Sequence, residues 1–244
     1  MQFRLIVEYD GTDYCGWQIQ PNGRSVQATL ESALGRLLGH ATRVAAAGRT
    51  DAGVHAAGQV ACFQTHRTLA PATVLRALNA LTPEDVAIRS VDVVGDGFDP
   101  RRAARSRAYV YRIWNHPTPS PFRRRYAWHV PLPLAFDAMA AAAALLVGEH
   151  DFSSFRAAGC EAEHAVRRVR RSEMGRDGAL VEYRIEATAF VRHMVRNIVG
   201  TLVDVGRGRR DPGGVRALLD ARDRTQAGIT APAHGLCLVE VKYE

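Results

Sequence analysis

The sequence predicts an α+β fold built from two successive β-α-β-β-α-β units. Three observations carry that expectation. Strand-like alternation and helix-like periodicity follow one another in the same order twice. The chain has 244 residues, enough for two domains of ordinary size. Hydrophobic residues make up 47% and charged residues 23%, a globular composition that excludes a disordered, collagen-like or coiled-coil chain.

Phe3 to Tyr9 alternates apolar and polar residues and reads as the first strand. A turn-rich segment, Asp10-Gly11-Thr12-Asp13-Tyr14-Cys15-Gly16-Trp17, follows it. Ser25 is placed to cap a helix over 26–38, with Leu30, Ala33, Leu34, Leu37 and Leu38 on one face. Arg43 to Ala47 is a short strand, and Gly58 to Gln64 is the next. Pro71 opens a helix that ends near Leu81, and Val86 to Val94 closes the first half as a strand.

The second half repeats the order. Arg105 to Trp114 is a strand with Tyr109, Tyr111 and Ile113 on one face. A Pro-rich stretch from His116 to Pro133 leads to an Ala-rich helix over 136–147. Two strands, 166–174 and 179–187, flank a turn at Gly175-Arg176-Asp177-Gly178. Phe190 to Val205 reads as an apolar helix and Gly235 to Tyr243 as the last strand. This is the order of two ferredoxin-like units, residues 1–103 and 104–244. Their strands are expected to form a mixed, mainly antiparallel sheet with the helices on one side.

Lys plus Arg is 32 against 25 Asp plus Glu, a net charge of +7 that favours a polyanionic partner, nucleic acid first. Lys242 is the only lysine, so a lysine Schiff base is not expected, and the arginine surplus also fits a coding bias. The four cysteines form no CxxC pair and no zinc-ligand spacing, so no metal is expected. The N-terminus reads as a strand rather than a signal peptide, and the longest apolar run falls short of the ~20 residues of a membrane span. These features predict a soluble cytoplasmic protein away from membranes.

The most unusual stretch is Gly48-Arg49-Thr50-Asp51-Ala52-Gly53-Val54-His55, a glycine-rich loop between strands. Asp51 is its obvious reactive group, beside the Arg49 cation; it either reacts or caps its own turn. The loop lacks the pattern of a phosphate-binding P-loop, and no zinc-protease or serine-hydrolase motif occurs in the chain. A second candidate is the apolar helix carrying Arg192 and Arg196, four residues apart. Arg196 on such a helix either meets a carboxylate or phosphate or snorkels to solvent. Arginine runs at 101–107, 123–125, 167–171 and 207–210, the first two interleaved with aromatic residues, suit RNA. Each run by itself also reads as a solvated face.

The loop Gly48 to Ala56 followed by Gly58-Gln59-Val60 resembles that of the TruA-type tRNA pseudouridine synthases, the pseudouridine synthase I family. So do Tyr9-Asp10-Gly11 with Gly16-Trp17-Gln18, Ser25-Val26-Gln27, and Ser106-Arg107-Ala108-Tyr109-Val110-Tyr111-Arg112-Ile113. Further matches are Gly148 to Phe155, Phe190 to Gly200, and Ala231-Pro232-Ala233 with Gly235-Leu236. Asp99 departs from the histidine common in the family.

The resemblance implies isomerisation of uridine to pseudouridine at positions 38 to 40 of the tRNA anticodon arm, without metal or organic cofactor. It implies Asp51 as the catalytic aspartate, Tyr109 stacked on the target base and Arg196 paired with Asp51. It further implies Arg49 holding the flipped nucleotide, Leu236 lining the uracil pocket, and a homodimer with a catalytic cleft between the halves.

Overall fold

Alternation along β1 (Gln2–Tyr9) places Phe3, Leu5, Val7 and Tyr9 on one buried face. In this computed structural model, which describes residues 1–21 and 23–243, that face lies in the core. Helix α1 (Val26–Leu38) begins where Ser25 predicts: the Ser25 hydroxyl accepts from Ala28 N at 3.2 Å. It ends at Gly39, whose φ of 77° is the left-handed conformation that terminates a helix. A two-residue strand, β2 (Ala45–Ala46), precedes β3 (His55–Gln64), α2 (Pro71–Leu81) and β4 (Val86–Val94). The strands run β4-β1-β3-β2, all antiparallel, and α1 and α2 pack on each other. This is the ferredoxin-like arrangement expected.

Two strands differ in extent from the expectation. The strand over 43–47 shrinks to Ala45–Ala46, while the strand expected from Gly58 starts at His55. β3 has neighbours on both sides, so its ladder extends; β2 has one partner and leaves Arg43 and Ala45 exposed.

In the second half, β5 (Ser106–Trp114) is followed by a two-residue strand, β6 (Trp128–His129), parallel to its end. Then come α3 (Phe136–Ala144), β7 (Gly148–Asp151), β8 (Val166–Asp177), β9 (Leu180–Ala187), α4 (Met194–Gly206) and α5 (Gly214–Ala221). The order is β5-β9-β8-β7, with α3 packed on α4 and on β8. Tyr111, Ile113, Tyr183, Ile185 and Met139 are fully buried between sheet and helices. The β8–β9 hairpin turns at Gly178-Ala179, three residues beyond the start of the expected turn, because Gly178 supplies a φ of 57° for the tight connection. β6, β7 and α5 are additions to the expected order.

The last strand, β10 (Leu236–Lys242), runs parallel to β3, with Cys237 opposite His55 and Leu238 opposite Ala56. By packing, the chain forms two compact units, Met1–Arg105 with Cys237–Glu244, and Ser106–Leu236. A division at 103/104 assigns the last strand to the second half, whereas its packing returns it to the first. Pairing within the units is antiparallel except for β3–β10 and β5–β6. Among the described residues no helix is long and apolar enough to cross a membrane.

Candidate active site

The Asp51 loop connects β2 to β3 and is held from below by the turn-rich segment after β1. Thr50 is the anchor. Its carbonyl accepts from Trp17 N at 3.0 Å, and its hydroxyl lies 2.7 Å from the Tyr9 phenol oxygen. Asp51 comes next, and its main-chain carbonyl accepts from Val54 N at 3.1 Å, closing a turn in which Gly53 has a φ of 75°. Gly53 N also donates to Tyr14 O at 3.2 Å. The contact is close enough to require glycine on the other side. A Cβ on Gly11 would stand 2.0 Å from Val54 O, and one on Gly16 2.6 Å from Thr50 O.

The supporting segment is itself fixed. Asp10 N donates to Asp85 O at 3.0 Å, and Tyr14 Oη donates to Asp85 Oδ1 at 2.7 Å. Burial and that bond push the Tyr14 phenol well above its ordinary range, so it stays a donor. Arg24 pairs with the same carboxylate at 2.8 Å and lies over the Tyr14 ring at 4.3 Å. On the β3 side, His55 Nδ1 is 3.0 Å from Gly11 N, and Gln59 Nε2 donates to Gly48 O at 2.8 Å. The Asp51 loop is thus clamped at Gly48, Thr50 and Gly53, while Arg49 is exposed and Asp51 half-buried. Among the described residues, Gln59 Oε1 is buried without a hydrogen-bond partner.

The second unit presents the other candidates. Tyr109 on β5 is half-buried, with its ring edge-on to Phe190 at 5.0 Å and 82°. Arg196 is in the first turn of α4; its Nε donates to Ala231 O at 2.7 Å, and Ala231 N donates back to Arg196 O at 3.1 Å. Tyr111 is fully buried, and its phenol donates to Pro232 O at 2.8 Å. Burial pushes that phenol well up despite the nearby Arg196 cation, so the bond persists at any working pH. Leu236 is buried at the start of β10, next in the chain to Cys237 and hence to the register partner of His55.

Helix α4 does not begin where expected. His193 has a φ of 60°, so the helix starts at Met194, and Phe190 to Arg192 form its approach. Arg192 and Arg196 therefore share no helix face: Arg192 Nη1 donates to Ala158 O at 3.2 Å. The approach instead delivers Phe190 to Tyr109. Asn197, fully buried, then locks α4 in place. Its Nδ2 donates to Phe155 O at 2.8 Å, and its Oδ1 accepts from Thr230 Oγ1 at 2.7 Å and Arg224 Nη2 at 3.1 Å.

The arginine runs are not equivalent. On β8, Arg168 meets Glu149 at 3.5 Å, Arg170 meets Glu186 at 4.0 Å and Arg171 pairs with Glu173. Beside them Arg112 and Arg184 share Glu182 at 2.9 and 2.6 Å. Burial raises the Glu182 carboxyl, but Arg184 and Arg112 outweigh it and hold it below its ordinary range. This face is a ladder of matched charges, the solvated reading of that run.

Asp51 and Arg49 share one clamped loop of the first unit; Tyr109 on β5 and Arg196 on α4 belong to the second, and Leu236 is the second unit's last residue, at the start of β10. The structure adds Gly11, Gly16, Thr50, Tyr111, Phe190 and Asn197 to the residues that shape these elements. Asn197 left one readable signal, a polar residue on the buried side of an apolar helix. Among the described residues no group of three or more His, Cys, Asp or Glu is placed to hold a metal ion.

Residues 5–101 and 142–244 match the family described as tRNA pseudouridine synthase. A tRNA pseudouridine synthase A of Myxococcus xanthus is 52% identical over 243 residues, covering 99% of this chain and 92% of that protein. Proteins of the same name from Pelobacter propionicus and Geobacter sulfurreducens are each 48% identical over 240 residues, covering 98% of this chain and 98% of theirs. With near-complete coverage on both sides, the chain belongs to the tRNA pseudouridine synthase family.

Proposed function

We propose that this chain isomerises uridine to pseudouridine at positions 38 to 40 of the tRNA anticodon arm. It does so as a cytoplasmic homodimer, with Asp51 as catalytic residue and no metal or organic cofactor. The observation that carries the reading is the clamped loop, which fixes the backbone on both sides of Asp51 while leaving its side chain half-buried. A backbone so fixed limits the directions in which the carboxylate can reach.

The reaction breaks the bond between C1′ and N1, turns the uracil and joins C1′ to C5. N1 gains a proton, and the proton on C5 is released. Asp51 either attacks the sugar or removes a sugar proton; both require the base out of its stack, at a cost of a few kcal/mol. Tyr109, braced by Phe190, stacks on the extruded base and recovers part of that cost. Arg196 pairs with Asp51 and aims its carboxylate, and Arg49 holds the flipped nucleotide. Leu236 walls the uracil pocket.

The test is release of tritium from tRNA labelled at C5 of uridine. The wild-type protein is expected to release it, and Asp51→Asn to bind tRNA without release. No release from wild type, or equal release from the variant, overturns the proposal.

A further inference from the structure

We propose that the turn over 120–126, between β5 and β6, is a second RNA-contacting surface. Phe122 stacks on an unpaired tRNA base there, and Arg123 and Arg124 hold the flanking phosphates. The inference rests on the reading of the chain as a tRNA-modifying enzyme.

Phe122 is 92% exposed, so its ring contributes almost nothing to the core. The turn that carries it is nevertheless ordered by its own bonds: Arg123 N donates to Ser120 O at 3.1 Å, and Tyr126 N and Ala127 N to Arg123 O at 2.9 Å. Its base is fastened to β5. Val130 N donates to Trp114 O at 3.0 Å, and Asn115 Nδ2 donates to Val130 O at 2.9 Å and Leu132 O at 2.8 Å. Trp114 Nε1 donates to Thr118 O at 3.0 Å. An aromatic ring presented on a pre-ordered turn loses little entropy on stacking.

Charge identifies the partner. Unlike the β8 arginines, neither Arg123 nor Arg124 has an ion pair among the described residues. The Arg123 guanidinium rests 6.0 Å above the Trp114 ring. An exposed ring next to two unneutralised guanidinium groups fits a base face bordered by phosphates. The base must be unpaired, because a paired base offers no free face. Trp114 lies five residues beyond Tyr109 on β5, about 17 Å along the strand, so the contact falls on a nucleotide other than the target. The turn also lies outside the segments matched by the family, 5–101 and 142–244.

The test compares Phe122→Ala, Phe122→Trp and the double variant Arg123→Gln/Arg124→Gln in the full chain. The readouts are tRNA affinity across a salt series, turnover at saturating tRNA, and mass in solution. Phe122→Ala is expected to weaken binding about 5- to 150-fold, and Phe122→Trp to retain it. The double variant lowers the slope of log affinity against log salt by about 1.4 to 1.8. Turnover at saturation stays within about twofold of wild type, since the turn touches no reacting group. Wild-type affinity and salt slope in Phe122→Ala and the double variant, alongside normal pseudouridine formation, overturn the inference and leave the proposed activity standing. Weakened binding by a protein that makes no pseudouridine upholds the inference and fails the activity. A change in mass without a change in tRNA affinity makes the turn a contact between copies and overturns the inference.

Discussion

Replacing Gly16 by alanine tests whether the turn-rich segment positions Asp51. The added Cβ would stand 2.6 Å from Thr50 O, 3.1 Å from Asp51 C and 3.2 Å from Ala52 N. Relaxing the first contact to an ordinary 3.4 Å moves the loop backbone by about 0.8 Å. Gly16 also has a φ of 99°, which costs a side-chain-bearing residue roughly 1–3 kcal/mol. The shift strains the bonds that hold Thr50, from Trp17 N at 3.0 Å and to Tyr9 at 2.7 Å, at about 1 kcal/mol each. Destabilisation of about 2–4 kcal/mol is expected. A displacement near 1 Å at a reacting group lowers turnover on the order of 10- to 100-fold. The assay is pseudouridine formation under single-turnover conditions, with thermal melting and tRNA affinity measured on the same preparation. The folded variant is expected to bind tRNA and turn over slowly. Gly48→Ala is the control: nothing lies within 4 Å of its Cβ, so its melting temperature is expected to match wild type. Wild-type turnover and melting in Gly16→Ala, or equal destabilisation by Gly48→Ala, would refute the reasoning.

Asn197→Ala leaves Phe155 O and the Thr230 hydroxyl without their buried partner; a loss of about 1–3 kcal/mol in chemical denaturation is expected, with kcat falling more than tRNA affinity. Tyr109→Leu removes the stacking ring and is expected to lower kcat/KM about 5- to 150-fold, while Tyr109→Phe keeps base stacking and tRNA affinity; equal loss of affinity in both contradicts a stacking role. For Asp151, burial raises the carboxyl, but hydrogen bonds from Ser153 N and Oγ and the Arg222 charge outweigh it and hold it below the ordinary value of 3.8. Its contribution to stability is therefore complete above 3.8 and is lost as the pH falls through the lower folded-state value. Acid titration of the melting temperature is expected to flatten in Asp151→Asn over that range, and an unchanged acid limb counts against it.

Local signals reached far into this fold. Ser25 and Pro71 mark helix starts by their own chemistry, a capping hydroxyl and a fixed φ, and α1 and α2 begin where these residues imply. Alternation placed β1 and β4 to within a residue at each end. The glycine-rich loop with its single aspartate stood out by residue type, and in the fold it forms a tight turn between β2 and β3 in which Gly53 has a positive φ. Helix α4 resisted for an opposite reason. Phe190 to Val205 is apolar throughout, and nothing local announces that His193 adopts a left-handed φ. α5 was concealed by the Asp211-Pro212-Gly213 turn at its start, although Val215, Leu218 and Leu219 have helical spacing.

The sequence by itself determined the repeated element order, the position of the acidic loop and the surplus of positive charge, each the sum of short-range preferences. Tertiary structure alone decided that Gly11 and Gly16 support the Asp51 loop from more than thirty residues away. It likewise decided that β10 runs beside β3 and that Asn197 ties α4 to residues 155 and 230. It also separated the arginine runs, which look alike in sequence. On β8, Arg168, Arg170 and Arg171 each meet a carboxylate, from β7, β9 and β8 itself, and among the described residues none reaches Arg123 or Arg124. Pattern reports what a residue prefers; only the folded chain sets which distant atoms come within a few ångströms, and charge pairing and steric exclusion act at that range.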